Sequence, residues 1–144
     1  MQQQTGPERV LGEFSNRFGI RTGEQPRLYQ APGRINLIGE HTDYNGGLVL
    51  PATIDLHTWV AARPRDDRLL KVLDLSDGQL HTLDPGRLEP GEKGLPVEYF
   101  KGVPWALREA GLTLRGCDVA IGGNIPLGGG LSSSASLELA LAVA

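Results

Sequence analysis

The first apolar pattern along the chain has helical spacing. Pro7 suits the first turn of a helix and Gly19 suits its end, so the pattern predicts a helix over residues 7–18. The apolar positions on its inner face are Val10, Leu11, Phe14 and Phe18. We expect this face to pack against the body of the protein.

From residue 27 onward, apolar and polar positions alternate, which is typical of half-buried strands. Clusters of turn residues divide this part of the chain into six predicted strands. They cover residues 27–31, 34–38, 48–54, 56–62, 69–75 and 79–83. A polar loop that contains glycine, residues 39–47, separates the second strand from the third. The other connections are short, which predicts an antiparallel meander.

The second half of the chain predicts two helices around a short strand. Residues 84–97 are rich in proline and glycine, which indicates a surface connection. Pro104 should kink the next helix or mark its start, and Gly111 should end it. Its predicted inner face holds Tyr99, Val103, Ala106 and Ala110, with Phe100 and Leu107 beside it. Residues 117–121 predict a strand, and residues 133–144 predict an apolar helix.

This last predicted helix reaches Ala144 without any of the usual features of a helix end. The run is apolar throughout and has neither glycine, asparagine or proline nor a basic last turn. A natural terminus seldom falls inside such an apolar run. We therefore expect the chain to be the N-terminal part of a longer protein.

Composition narrows the class of protein. The chain has 144 residues with 40% hydrophobic and 22% charged side chains, which suits one globular α+β unit. Its net charge of −3 gives no field that would attract nucleic acid. It has no apolar run long enough to span a bilayer and no signal-peptide pattern at its start. A single cysteine, Cys117, fits a reducing compartment, so we expect a soluble cytoplasmic protein with no membrane or nucleic-acid partner.

Glycine is over-represented, with 20 residues, and it forms two distinct clusters along the chain. In residues 122–130, five of nine residues are glycine, and three serines and the apolar helix follow. Glycines let successive N–H groups point into one concavity, and a helix N-terminus adds further unpaired N–H groups. This order predicts a phosphate site, where the serine hydroxyls can also offer an oxygen to magnesium. The alternative is a loop whose serines merely cap a helix.

The spacing at this cluster differs from the two commonest nucleotide-binding motifs. No lysine follows the glycines, so the stretch is not a Walker A loop. Ser133 stands where the third glycine of a G-x-G-x-x-G motif would be.

The other cluster, residues 31–47, combines charged and polar groups. Arg34 and Asn36 share one face of a predicted strand. Glu40, His41 and Asp43 follow in the turn, and two carboxylates with an imidazole suit a ligand with many hydroxyls. Arg34 can stabilise charge on a transferred phosphoryl group. A metal site is disfavoured because no second histidine is close, and structural hydrogen bonding is the preferred role of Asn36, Thr42, Tyr44 and Asn45.

Both clusters resemble motifs of known kinases. Residues 33–45, Gly-Arg-Ile-Asn-Leu-Ile-Gly-Glu-His-Thr-Asp-Tyr-Asn, resemble the galactokinase motif. Residues 126–135, Pro-Leu-Gly-Gly-Gly-Leu-Ser-Ser-Ser-Ala, are similar to the phosphate-binding motif of the wider GHMP superfamily, which includes homoserine, mevalonate and phosphomevalonate kinases. The order and separation of the two motifs agree with galactokinase.

This resemblance implies a fold and an activity. The fold would be the α+β N-terminal domain of GHMP kinases (ribosomal protein S5 domain 2-like), a mixed, mostly antiparallel sheet with helices on one face. Residues 1–144 would form the domain that binds the sugar and the ATP phosphates, truncated within a helix, with the C-terminal domain missing. The activity would be transfer of the ATP γ-phosphoryl group to the anomeric hydroxyl of D-galactose, which gives α-D-galactose 1-phosphate and ADP.

The resemblance also implies roles for individual residues. Arg34 would stabilise the transition state, and Glu40, His41 and Asp43 would hold sugar hydroxyls. Ser133 would lie near Mg²⁺. The residues around the ATP phosphates would be Gly128, Gly129, Gly130, Leu131, Ser132, Ser133 and Ser134.

Other features of the family are missing or altered. Its catalytic aspartate, acidic magnesium ligand and third glycine-rich motif would lie beyond Ala144, so we expect this chain alone to be inactive. Pro96 stands where the family often has a tryptophan near the adenine, and Trp105 lies beyond residues 101–103, which leaves the adenine pocket unassigned. Two alternatives stay open: a non-catalytic sensor of galactose and ATP, which the intact serines at 132–136 disfavour, and a kinase for another sugar such as N-acetylgalactosamine.

The remaining distinctive residues predict structural roles. Cys117 should be a buried small side chain, and His57 and His81 should be structural or exposed. Trp59 and Trp105 should lie in the core or an interface.

Overall fold

The computed structural model describes residues 6–89, 91 and 95–144. Its elements in chain order are α1 (Pro7–Phe18), β1 (Arg27–Ile38), α2 (Glu40–Asp43), β2 (Leu50–Pro64), β3 (Leu70–Asp74), β4 (Leu80–Leu83), a 3₁₀ helix (Pro85–Arg87), α3 (Pro96–Glu109), β5 (Cys117–Gly123) and α4 (Ser133–Val143). The predicted α+β class is confirmed. No helix in the described part of the chain is long and apolar enough to cross a membrane.

The strands form one mixed sheet in the order β1-β2-β5-β3-β4. Three neighbouring pairs are antiparallel, and β3 and β5 are parallel. The predicted meander is wrong because β5 lies between β2 and β3. The physical reason is that Val119, Ala120 and Ile121 of β5 are apolar on both faces, and a strand of this kind is buried best at the centre of a sheet.

Strands β1 and β2 are longer than predicted. Each of them spans two predicted strands. In β1, the predicted break at Pro32 and Gly33 is an irregularity within the strand and not its end. Pro32 pairs with His57 but Gly33 pairs with Ile54, so two residues of β2 bulge out of the ladder. Strand β1 lies at the edge of the sheet, where a proline costs no ladder hydrogen bond.

The helices cover both faces of the sheet, so the expectation of helices on one face is wrong for α1. Val10 and Phe14 of α1 are fully buried against Trp59 and Ala61 of β2. On the opposite face lie α3 and α4; their buried residues Phe100, Ala140 and Leu141 pack with Val60 and Ala62 of β2 and with neighbouring strands. Because successive residues of a strand point to opposite faces, β2 supplies both cores.

A buried arginine attaches α1 to the sheet. Arg63 of β2 donates hydrogen bonds of 3.0 and 2.9 Å to the carbonyl oxygens of Phe18 and Gly19, at the end of α1. Its guanidinium carbon lies 5.1 Å from the centre of the Phe14 ring. Asp118 of β5 accepts a 3.3 Å bond from Arg63 and thereby neutralises a charge that is only 1% exposed.

The helices match the predicted bounds better than the predicted faces. Helix α1 has the predicted bounds, and α4 ends one residue earlier than predicted. Helix α3 begins at Pro96 and contains Pro104, but its buried residues are Phe100 and Pro104, whereas Ala106 and Ala110 are exposed.

Some single residues differ from the expectations, and others agree with them. In the predicted surface connection, Pro85 is buried, and residues 90 and 92–94 lie outside the described residues. Trp59 belongs to the core, whereas Trp105 is 51% exposed. Burial raises the pKa of the Cys117 thiol to about 11, which agrees with an inert side chain.

Candidate active site

The edge strand β1 brings an arginine, an amide and a carboxylate together. Asn36 donates a 3.2 Å hydrogen bond from Nδ2 to Oδ2 of Asp43. The same oxygen lies 3.9 Å from Nη2 of Arg34, and both charged side chains are about half exposed. We call Arg34, Asn36 and Asp43 the arginine cluster. Its partly exposed charges remain able to meet a ligand.

The segment after β1 is more ordered than the predicted polar loop, because residues 40–43 form the helical turn α2. Gly39 has φ +98°, and a Cβ there would lie 2.6 Å from the carbonyl oxygen of Leu48. Oγ1 of Thr42 lies 3.0 Å from the carbonyl oxygen of Gly39 and 2.8 Å from that of Leu48. These contacts close the segment and fix Asp43 beside β1.

Glu40 and His41 are the two predicted sugar-binding residues that the structure does not join to the arginine cluster. Both are exposed on α2. Nδ1 of His41 lies 3.1 Å from Oη of Tyr44, and Asn45 donates a 2.9 Å bond to the carbonyl oxygen of His41. Tyr44 and Asn45 thus have the structural roles predicted for them, and the Glu40 carboxylate is open to a ligand.

The second glycine cluster forms a tight loop before α4. We call residues 122–132 the glycine loop. Gly128, Gly130 and Ser132 have φ of +72°, +68° and +58°, in the left-handed region. Backbone that enters the left-handed region at every second residue can turn neighbouring N–H groups toward one concavity. This geometry supports anion binding.

The N-terminus of α4 adds donors to this loop. Ser136 N–H donates to the carbonyl oxygen of Ser132 at 3.0 Å, so the N–H groups of the preceding helical residues have no such partner within the helix. Ser132 makes no capping side-chain bond within the described residues. The alternative in which the serines merely cap the helix is therefore not supported at this position.

The serine hydroxyls differ in what they contact. Ser134 Oγ donates a 3.0 Å bond to Oη of Tyr99 on α3. The Ser133 hydroxyl has no hydrogen bond to any described residue and is half-buried at the start of α4. A free hydroxyl at a phosphate site is suited to be an oxygen ligand of Mg²⁺. The described residues hold no group of three or more His, Cys, Asp or Glu side chains that could bind a metal ion.

A backbone hydrogen bond joins the glycine loop to the arginine cluster. Arg34 N–H donates to the carbonyl oxygen of Leu131 at 3.2 Å. A Cβ at Gly33 would lie 2.9 Å from that same oxygen, so this approach depends on glycine. A cleft of about 280 Å³ lies here, and its lining includes Arg34, Ser132 and Ser136. Two segments almost a hundred residues apart thus share one site.

The sequence analysis missed several residues of the site. Asn124 accepts a 2.7 Å bond from the N–H of His57 and so holds the glycine loop to β2. Pro51, Ala52 and Thr53 of β2 also line the cleft, and they pair with residues 34–36 of β1 in the sheet. Ser136 is 1% exposed, and its sequence signal was a hydroxyl between Ala135 and Leu137 at the start of the predicted apolar helix.

Two family models match the chain. The model described as galactokinase galactose-binding signature matches residues 12–64, and that described as GHMP kinases N terminal domain matches residues 98–144. The first contains the arginine cluster, and the second begins within α3 and includes the glycine loop. The two halves of the site therefore belong to the two matched regions.

Curated relatives and solved structures agree with these matches. The chain is 49% identical over 134 residues to the galactokinase of Roseiflexus sp. (strain RS-1) and 44% identical over 142 residues to that of Streptomyces coelicolor. The matches cover 91% and 95% of this chain but 34% and 36% of the relatives. The chain thus spans about a third of the length of these relatives.

The fold is similar to that of a galactokinase in complex with galactose. The Lactococcus lactis enzyme, solved in that complex, matches 93% of this chain and 35% of its own with a TM-score of 0.83 and 39% identity. Methanococcus jannaschii mevalonate kinase matches 81% of this chain and 38% of its own with a TM-score of 0.67 and 18% identity, which shows a shared fold only.

Proposed function

The chain belongs to the galactokinase family of the GHMP kinases, and from this premise we propose that its protein transfers the γ-phosphoryl group of ATP to the anomeric hydroxyl of D-galactose. The products are α-D-galactose 1-phosphate and ADP. The observation that carries the proposal is the hydrogen bond from Arg34 N–H to the Leu131 carbonyl, which places the arginine cluster against the glycine loop. Phosphoryl transfer needs the acceptor site and the phosphate-donor site to lie next to each other.

Galactose is proposed to bind between β1 and α2. Asp43, Glu40 and His41 offer carboxylate and imidazole groups to sugar hydroxyls. The galactose-binding signature matches residues 12–64, which include β1 and α2, and this match supports the placement. Asn36 orients the Asp43 carboxylate through its 3.2 Å hydrogen bond.

The ATP phosphates are proposed to lie against residues 128–134, at the positive end of α4. The backbone N–H groups of Gly128, Gly129, Gly130 and Leu131 and the hydroxyls of Ser132, Ser133 and Ser134 would hold them. The Ser133 hydroxyl is the proposed protein ligand for Mg²⁺, which neutralises phosphate charge when bound. We place the reaction in the cytoplasm, where the single thiol of Cys117 stays reduced.

Arg34 is the proposed catalytic residue of this chain. Its guanidinium is always protonated and can stabilise the negative charge that spreads over the transferred phosphoryl oxygens. Asp43 is not assigned as the acceptor for the proton of the reacting hydroxyl, because it is proposed to bind another sugar hydroxyl.

Replacement of Arg34 tests the proposal in protein expressed from the complete reading frame. We expect Arg34→Ala to lower kcat about a hundredfold or more and to change galactose affinity far less, because the charge it stabilises develops only in the transition state. The measurements are ADP release and galactose binding by calorimetry.

Arg21 provides a matched control. Its side chain is 45% exposed and lies 3.5 Å from Glu24, whereas that of Arg34 is 46% exposed and 3.9 Å from Asp43. Arg21→Ala should keep the turnover of the unmodified protein. Unchanged kcat in Arg34→Ala, or an equal loss in both variants, would remove the proposed role.

A further inference from the structure

One buried hydroxyl connects α4 to both strands beneath it. Ser136 is 1% exposed and its Oγ donates a 2.7 Å hydrogen bond to the carbonyl oxygen of Ala31 on β1. The Oγ of Ser136 also lies 2.9 Å from Oγ1 of Thr58 on β2. Ala31 and Thr58 are cross-strand neighbours, so the hydroxyl holds the helix at a point where the two strands are paired.

The position of this contact along β1 matters. Ala31 comes just before the register shift between Pro32 and Gly33, and Arg34 comes just after it. The glycine loop contacts β1 on the far side of the shift, where Arg34 N–H bonds to the Leu131 carbonyl at 3.2 Å. Two hydrogen bonds therefore flank the irregularity in β1 and connect it to one short segment, residues 131–136.

Neither core packing nor helix stability requires a hydroxyl at position 136. Alanine has a higher helix propensity than serine, and a buried hydroxyl is favourable only while it keeps its partners. The residues next to Ser136 in the sequence, Ala135 and Leu137, are apolar, and Ala140 one turn later is fully buried. What serine adds is a fixed distance between α4 and β1.

We propose that Ser136 is a positioning residue that sets the distance between the glycine loop and Arg34. This rests on the proposed function, in which the glycine loop holds the phosphates and β1 holds the acceptor sugar. Without the hydroxyl, α4 and the loop before it shift relative to β1. Each substrate still binds to its own half of the site, but the two reacting groups are misaligned.

Three variants in the protein from the complete reading frame test this. Ser136→Ala removes both contacts, whereas Thr58→Val removes one and keeps the bond to Ala31. Ser15→Ala is the matched control, since Ser15 Oγ donates a 2.9 Å bond to the Leu11 carbonyl within α1, on the other face of the sheet. The measurements are kcat, KM for galactose and for ATP, and the thermal midpoint of each variant.

We expect Ser136→Ala to lower kcat about tenfold with both KM values changed less than about threefold, since small misplacements cost turnover more than binding. Thr58→Val should lower kcat about threefold, and Ser15→Ala should leave it unchanged.

A kcat of Ser136→Ala within threefold of the unmodified protein overturns the proposal, as does an equal loss in Ser15→Ala. If Ser136→Ala does not fold, a wild-type kcat in Thr58→Val overturns it. An unmodified protein without galactose-dependent turnover overturns the proposed function itself, whereas an active one with an unaffected Ser136→Ala overturns only this inference.

Discussion

At the scale of single residues, the absence of a side chain at Gly33 allows the two halves of the site to meet. Its backbone does not adopt the left-handed region, so the requirement for glycine comes from space alone. A Cβ at this position would lie 2.9 Å from the Leu131 carbonyl oxygen and 3.1 Å from Ile54 Cδ1. The first neighbour is backbone and has little freedom to move.

Gly33→Ala should therefore separate β1 from the glycine loop. We expect a loss of turnover of about tenfold or more, because the hydrogen bond from Arg34 N–H to Leu131 lengthens and the reacting groups move apart. Kinetics on the protein from the complete reading frame provide the measurement.

Gly12→Ala in α1 is the control for this prediction. A Cβ at Gly12 meets nothing within 4 Å, and alanine raises helix stability by about 0.5–1 kcal/mol. This variant should keep its turnover and melt slightly higher. Normal kinetics in Gly33→Ala would show that the approach of Leu131 to β1 does not matter for the reaction.

At the scale of elements, the sequence predicted most helices and strands but not their arrangement. Periodicity is local, so it gave the bounds of α1 and the existence of β3, β4 and β5. The place of β5 between β2 and β3 and the continuity of β1 through Pro32 depend on pairing between distant strands, which periodicity does not contain.

In the candidate site, too, features that depend on local sequence were predicted and those that depend on distant contacts were not. Motifs and spacing named Arg34 and Asp43, which the structure brings together, because their residue types and sequence order suffice for that inference. Ser136, Asn124 and the cleft-lining residues of β2 were missed. Their roles depend on contacts across 67 to 105 residues of chain, such as the bond from Ser136 to Ala31.

The attachment of α1 to the sheet gives a prediction about stability. Asp118 is 1% exposed and accepts bonds of 3.3 Å from Arg63 and 2.7 Å from Arg65. Asp118→Asn removes the carboxylate that neutralises the buried Arg63, and we expect a loss of about 3–5 kcal/mol in the free energy of unfolding. Denaturant titration followed by circular dichroism measures it.

Asp67→Asn is the matched control, since Asp67 also pairs with Arg65 but its side chain is 45% exposed. Solvent screens such a pair, so this change should move the denaturation midpoint very little. Equal losses in Asp67→Asn and Asp118→Asn would contradict the importance of burial at this ion pair.

At the scale of the whole molecule, the described residues form a domain that contains both halves of a proposed site and spans about a third of its curated relatives. In the proposed function, the chain supplies groups to bind sugar and phosphates and an arginine to stabilise charge. It does not supply an assigned acceptor for the proton of the sugar hydroxyl. We therefore expect this chain alone to bind the substrates without turning them over.

We propose that the 144-residue chain alone does not release ADP in response to galactose, because none of its residues is assigned as the acceptor for the proton of the sugar hydroxyl. An assay of ADP at high protein concentration, with and without galactose, is the measurement. Galactose-dependent ADP release from this chain, abolished by Arg34→Ala, would contradict the expectation and place the whole reaction within these residues.

The most direct test of the central claim is the identity of the product made by the protein from the complete reading frame. Phosphorus NMR of a reaction with ATP and galactose should show one α-D-galactose 1-phosphate for each ADP. Methyl α-D-galactoside, whose anomeric oxygen is blocked, should give no product. ADP release that does not depend on galactose, or a phosphate at another carbon of the sugar, would contradict the claim that Arg34 and the glycine loop form a site for anomeric phosphorylation.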